Sequence, residues 1–415
     1  MKLQANALFI TVVISMIIAL MASMLILSAY YNKTSILLNF KKERLVSNAN
    51  SGINLILGDE HVVEYDTPIS VDLFQTGNDS VNLKKCVWGV FEIASATAYK
   101  HKDSSSQTVL YGYKPDTILK SAMYLSDQNR ALFLCGTTKI KGVCYLPEAG
   151  VKRAYIEGQG YINSDLIDGT EKRSKTVLPK LDEKLSAYLA KQFLDTNASV
   201  NTAEIPDTIH HSFSKPTLVI EIGNSIFTLN QKVLSGNIMI KSKGKLIISA
   251  ENKLNNIQVY ATAIVVEENF KGTLQLFARD SLIIHKNCTL NYPSALGIIK
   301  DRFKLFQQFI KIEEGSVVEG ICFGFCSVTD LNRVRITVDE KALVYGQLYS
   351  DGFAEIKGTV HGHVTCGNFR LRTPSSTYDN HLLNATIDFS KLSTTFVGSA
   401  LLPSVKEKKV ILNLE

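Results

Sequence analysis

The run IMIKSKGKLIISAENKLNNIQVYATAIVVEENFKGTLQLFARDSLII, residues 238–284, sets its apolar residues in pairs two apart: Ile238/Ile240, Leu246/Ile248, Ile257/Val259, Ile264/Val266, Leu274/Leu276 and Leu282/Ile284. A spacing of two puts both members of a pair on one face of a strand. Taking alternate pairs, Leu246 to Ile264 to Leu282 advances by 18 and 18 residues, and Ile238 to Ile257 to Leu274 to Leu290 by 19, 17 and 16. Short strands repeating at about 18 residues suit stacked coils, each giving two or three strands to a solenoid.

A second pattern, [IV]-x-G-x-[CVL], accompanies the repeat: IKGVC (140–144), VEGIC (318–322), VYGQL (344–348), IKGTV (356–360) and VHGHV (360–364). Glycine tolerates a sharp bend and the close approach of a neighbouring coil, both of which a β-coil needs at its corners. The fold expected is therefore mainly β, a right-handed parallel β-solenoid-like domain with coils over 201–370; a β-sandwich with glycine-marked turns is the alternative. DRFKLFQQFIKI (301–312) interrupts the period and reads as an inserted helix or loop, with Phe303, Phe306 and Phe309 as packing residues. Residues 371–415 lack the pattern and read as a C-terminal cap over an open end.

Upstream, HVVEYD (61–66), VWGVFEIASATAY (87–99), TVLYGY (108–113) and ALFLCG (131–136) read as strands of a β-rich region over 59–200. One helix interrupts it at 179–194, with Pro179 suited to the first helical position and Leu181, Leu185, Tyr188, Leu189 and Phe193 on one face. DTNASVNTAEIPDT (195–208) after it is polar and linker-like.

The other distinctive stretch is ALFITVVISMIIALMASMLILSAYY, residues 7–31, 25 residues without a charge. As a helix it rises about 37 Å, more than the roughly 30 Å hydrocarbon core of a bilayer. It reads as a retained single membrane span rather than a cleaved export signal, whose apolar core is about 7 to 15 residues long. The helical pattern continues beyond it: Leu38, Leu45, Ala49, Ile53 and Ile56 share a face, so residues 1–58 read as one transmembrane and juxtamembrane helix. Lys33, Lys41, Lys42 and Arg44 lie off that stripe, where they suit lipid headgroups.

The opening LQANALFITVVISMIIALMASMLILSAYYN, continuing into ERLVSNANSGINLIL, resembles the N-terminal helix of type IV pilin-like proteins, especially minor pilins of the PilX kind. Where that family ends its leader in glycine this chain has Asn6 and Ala7, and no glutamate stands near Thr11 or Val12. The remainder is similar to β-solenoid ectodomains of bacterial envelope proteins, and its glycine corners are similar to those of bactofilins, which are cytoplasmic scaffolds. The pilin resemblance implies a domain on the outer face of the cytoplasmic (inner) membrane, periplasmic or extracellular. The basic residues following the span imply the reverse under the positive-inside rule.

A net charge of +6 spread without a basic block lacks the footprint of a nucleic-acid binder, so no nucleic-acid partner is expected. Seven cysteines, without a C-x-x-C pair, fix neither a zinc site nor a compartment. No nucleophile elbow, H-E-x-x-H or phosphate-binding loop is found. His361, His363 and Cys366 would lie near one another on a strand, but an exposed polar face is the plainer reading. His210-His211 read as loop residues, and Arg279-Asp280, Asp301-Arg302 and Asp339-Glu340 are adjacent pairs that face opposite ways on a strand. No catalytic, cofactor-binding or metal-binding residue is assigned. The expectation is a non-enzymatic membrane-anchored structural or assembly protein of the bacterial envelope, with protein partners in a pilus-like assembly. The alternatives are an envelope glycan-binding or glycan-cleaving protein and a bactofilin-like scaffold.

Overall fold

The computed structural model describes residues 4–58, 63–73, 79–194, 200–201, 205–223, 225–300, 306–326, 333–402 and 404–414. The chain is mainly β and divides into two compact units, Met1–Lys84 with Ser95–Gln107 and Lys85–Ala94 with Thr108–Glu415.

In the first unit, helix α1 (Gln4–Gly58) runs for 55 residues, about 82 Å at 1.5 Å per residue. By length and composition it can cross a membrane, and its large apolar side chains from Leu8 to Tyr31 are 38% to 71% exposed. From Leu45 onward the helix changes character. Leu45, Ala49, Ile53 and Ile56 are buried, as their spacing predicts, whereas Leu38 remains exposed because strand packing starts only beyond it. The strands that receive the stripe belong to β1 (Ser80–Trp88) and β2 (Phe91–Lys100). Gly52 allows the closest approach: a Cβ there would lie 2.7 Å from Leu83 and 3.0 Å from both Ala96 and Val81.

VWGVFEIASATAY is therefore two strands and not one, because Gly89 takes a left-handed conformation (φ +61°) and turns the chain between β1 and β2. β3 (Asp103–Pro115) follows and contains TVLYGY, and in the second unit it pairs antiparallel with Ser404–Asn413. His61 and Val62 of HVVEYD lie outside the described residues, and Val63–Asp66 holds no strand.

The second unit contains the repeat. Its long strands are β4 (Val233–Ser242), β5 (Lys253–Val266), β6 (Lys271–Ile284), β7 (Thr289–Lys300), β8 (Val317–Cys326), β9 (Leu343–Ile356) and β10 (Thr359–Arg372), and each pairs in parallel with the next. The steps read from the sequence are found as register partners: Ile238 with Ile257, Ile257 with Leu274, Leu246 with Ile264, and Ile264 with Leu282. The last step differs, because Leu290 pairs with Gly272. β7 then takes five residues to reach Ala295 where β6 takes three to reach Gln275, so two extra residues bulge from the ladder.

One core column follows the register from Ile220 through Ile240, Val259, Leu276, Leu296, Cys322, Leu348 and Val364 to Met123 and Cys144. All ten are buried in one apolar cluster. Full burial of a Leu, Ile or Val contributes about 1.5–3 kcal/mol, so this column outweighs any single polar contact in the unit. The pairings of the large sheet close on themselves, so the region is a large β-sheet with barrel-like closure rather than a plainly open solenoid or a β-sandwich.

Three of the five glycines in the pattern stack directly on one another. Gly320, Gly346 and Gly362 are register partners with φ of +141°, +138° and +151°, and a Cβ on any of them would lie 1.9 Å from the carbonyl oxygen of the residue beneath. No other residue fits both the dihedral and the gap.

Three expectations change. Phe309–Ile312 is a strand, paired in parallel with Ser281–Ile284 and Arg335–Val338, because the coil period resumes there; Phe306 is half exposed, and residues 301–305, with Phe303, lie outside the description. The 179–194 helix is shorter: α2 (Glu183–Lys191) starts after Asp182, whose carboxylate accepts the Leu185 N–H at 2.7 Å, so Pro179 precedes the cap. Residues 371–388 do not cap an open end. His381–Leu383 pairs with Phe133–Cys135 and Thr386–Asp388 with Lys139–Lys141, while Val364–Cys366 of β10 pairs with Met123–Leu125. The 123–173 segment thus continues the stack beyond β10, with the exposed Glu171–Arg173 paired in parallel with Cys144–Leu146. Of the linker-like run 195–208, Val200–Asn201 pairs with Ile220–Glu221, and 195–199 and 202–204 are outside the description.

Candidate functional site

The most constrained polar cluster in the first unit lies where α1 leaves its exposed stretch. Asp79, with a side chain 3% exposed, is paired with Arg44 of α1 and, at 3.2 Å, with Lys100 of β2; Asn48 donates to it at 3.4 Å. A buried carboxylate needs such partners, since desolvation without them costs several kcal/mol. Around this clamp is a cleft of about 410 Å³ lined by Leu37, Leu38, Phe40, Lys41 and Leu45. Its lining is apolar along α1, and Lys41, Arg44 and Lys100 are its cations beside Asp79. Sequence reading identified Arg44 but missed Asp79, which no local pattern marks.

In the second unit the histidines do not converge. His363 is fully buried, with Nδ1 2.8 Å from the Ser121 carbonyl and Nε2 2.6 Å from the Thr365 hydroxyl, and burial lowers its pKa to about 4. His361 packs edge-on against Tyr345, and Cys366 lies in the apolar core. The two histidines therefore sit in different surroundings, His361 against Tyr345 and His363 against Ser121 and Thr365. His210 and His211 are on a strand, Thr208–His211, and not in a loop; their ring nitrogens contact the Ser235 hydroxyl at 2.6 Å and the Pro216 carbonyl at 2.8 Å. Among the described residues no group of three or more His, Cys, Asp or Glu could hold a metal ion.

The carboxylates form ladders along a corner of the stack. Lys311 bridges Glu313 at 2.9 Å and Asp339 at 3.4 Å, and His285 contacts Glu313 at 2.9 Å; a parallel set joins Lys341 at 2.7 Å and Lys286 at 3.9 Å to Glu314. Burial works to raise the Glu313 carboxyl, but hydrogen bonds from His285 and Lys311 outweigh it and hold it below the usual range. The same bond to Glu313 raises Lys311. Alternating charges of this kind satisfy one another and leave no poised acid–base pair. Asp301 and Arg302 lie outside the described residues. A second cleft, of about 400 Å³, is lined by Tyr161, Asp165, Asp168 and Asp388, with Lys141 bridging Asp168 at 3.3 Å.

The corner also carries a repeat that sequence reading missed. Asn269, Asn287, Gly315 and Lys341 all have positive φ (67°, 57°, 73°, 57°), and each precedes a wholly buried residue: Phe270, Cys288, Ser316 and Ala342. Asparagine or glycine at three of these four equivalent turns was the available signal.

The seven cysteines are free thiols. Burial pushes Cys144 and Cys322 up to about 12 and Cys288 to about 11, so these serve as small apolar residues and not as nucleophiles. No protein-family model, curated protein or solved structure matches the chain.

Proposed function

We propose that this chain is a membrane-anchored, non-enzymatic structural or assembly component of a bacterial envelope, pilin-like in its N-terminal helix, which holds a β-solenoid outside the cytoplasmic membrane. The observation that carries this reading is the double use of α1. Its first half exposes apolar side chains on all sides, as a lipid-facing span does, and its second half buries a stripe in the first unit, so anchor and core are one rigid helix. The solenoid reading is supported by parallel register steps near 18 residues and by the stacked glycines.

The test is protease protection in spheroplasts with a tag after Glu415 and the mass of the surviving membrane fragment recorded. Loss of the tag with a short membrane-bound stub agrees with the proposal. A protected tag rejects it and favours a bactofilin-like scaffold facing the cytoplasm, the reading suggested by Lys33, Lys41 and Lys42 just after the span.

A further inference from the structure

The buried stripe of α1 outlasts the strands that cover it. Thr34, Leu38, Lys41 and Leu45 follow one another at steps of 4, 3 and 4, and so continue the face that Ala49, Ile53 and Ile56 bury. Leu45 is 4% exposed, but Leu38, two turns nearer the apolar run, is 55% exposed. The cleft of about 410 Å³ in the first unit occupies this uncovered length, with Leu37, Leu38 and Phe40 along the helix and the Asp79 clamp at its Arg44 end. Thr34, where the cleft starts, stands three residues past Tyr31, about 4.5 Å along the axis, and Leu45 about 16 Å further. From Leu8 to Phe40 the helix exposes large apolar side chains over about 48 Å, with Lys33 its one charge. At a tilt of about 20° that length still rises about 45 Å, against roughly 30 Å of hydrocarbon and 40–45 Å of whole bilayer. A bilayer that covers Leu8 therefore leaves Leu37, Leu38 and Phe40 in or beyond its headgroup layer, where they need an apolar cover.

The occupant is a second α1 or a lipid, and charge separates them. Lys33, Lys41, Lys42 and Arg44 fall on this same length of helix with Glu43 as the single carboxylate, so a second copy packed alongside sets like charges against like. A phospholipid brings apolar chains with a phosphate at their head. Arg44 and Lys100 are already held by Asp79 and have no charge to spare, whereas Lys41, which also lines the cleft, makes no ion pair among the described residues. We infer that the cleft seats one phospholipid of the adjoining leaflet, its acyl chains along Thr34, Leu37 and Leu38 and its phosphate beside Lys41. The volume, in the range of roughly 300–1,000 Å³ typical of small-ligand clefts, admits the upper part of one lipid. The inference rests on the reading of α1 as a membrane span and holds for either orientation of the anchor.

The experiment is native mass spectrometry of the full chain in detergent, titrated with palmitoyl-oleoyl phosphatidylglycerol or phosphatidylethanolamine, beside partition of the same chain into vesicles of each lipid. A first phosphatidylglycerol adduct should saturate at one per chain before further adducts appear. It should form more readily than with phosphatidylethanolamine, whose ammonium would join Lys41, Arg44 and Lys100. Leu38→Asp, at an exposed position that leaves the folded core untouched, should weaken that adduct about tenfold or more, and Lys41→Gln about fivefold. Leu25→Asn, on the exposed apolar run away from the cleft, should leave it unchanged. Adducts that fill without a distinct first site, a first site indifferent to Leu38→Asp, or equal binding of the two lipids overturns the inference. When any of these comes with normal partition into vesicles, the lipid site alone is rejected; failure to partition rejects the span and the site together.

Discussion

α1 and the parallel ladder both consist largely of apolar residues, yet they treat them oppositely. In α1 the side chains from Leu8 to Tyr31 stay 38% to 71% exposed, whereas the ladder column from Ile240 to Val364 is at 0%. The difference is in periodicity and not in composition. A helix apolar on every side offers no stripe to a protein core and needs an apolar surrounding, while strands with apolar residues at every second position bury one face against neighbouring coils. In the ladder, moreover, each residue is fixed by its register partners above and below, so a local error is passed on; in α1 an error stays where it is made.

Substitutions at matched points can break this contrast. The largest effect is expected for Gly346→Val, which forces a Cβ onto the Gly320 carbonyl oxygen at a dihedral that valine rejects. We expect a loss above about 4 kcal/mol, read as failure to yield a cooperative melt by circular dichroism. A cooperative, near-native melt would mean that the coils can part without penalty. In α1, Ile17→Lys should impair membrane insertion by about 2.5 to 3.5 kcal/mol while leaving the folded units intact; unchanged partition into membranes would remove α1 as the anchor.

The third effect separates the regions by pH. His363 titrates near 4 when folded and near 6.5 when unfolded, so the unfolded chain binds its proton first as pH falls. Stability is therefore unaffected above about pH 6.5 and declines between about 6.5 and 4, by on the order of 3 kcal/mol in all. His363→Gln should flatten that decline in denaturant melts of the second unit, and an identical slope would assign the acid sensitivity elsewhere. The smallest effect is expected at the join in the first unit. Asp79→Ala leaves Lys100 and the half-exposed Arg44 without their carboxylate, and solvent screening limits the loss to about 1–2 kcal/mol. Hydrogen exchange in α1 beyond Leu45 would report it, and unchanged exchange there would show that the apolar stripe alone holds the helix.

Much of the ladder was legible because its register repeats a local signal. Ile257 and Leu274 announce each other through spacing alone, and the stacked glycines through a five-residue pattern. The failures came where spacing carries no partner. The two-residue bulge in β7 shifted one step, and ALFLCG gave a strand without any sign that Leu134 would lie beside Leu382. Asp79 was invisible for the same reason, since its two cations come from positions far along the chain.

The placement of Met123–Leu125 against Val364–Cys366 also sets an order of events during synthesis. Ser121 and His363, which meet at this seam, are 242 residues apart. Met123 can pair early with Cys144 on one side, but its edge toward β10 cannot be covered until the last coils have emerged, so that edge stays open while more than half of the chain is produced. Loop closure over such a distance is slow, and an unpaired strand edge is open to wrong partners in the interval. Formation of this seam is thus the step at which a nascent chain is most exposed to a holding chaperone or to capture by another copy.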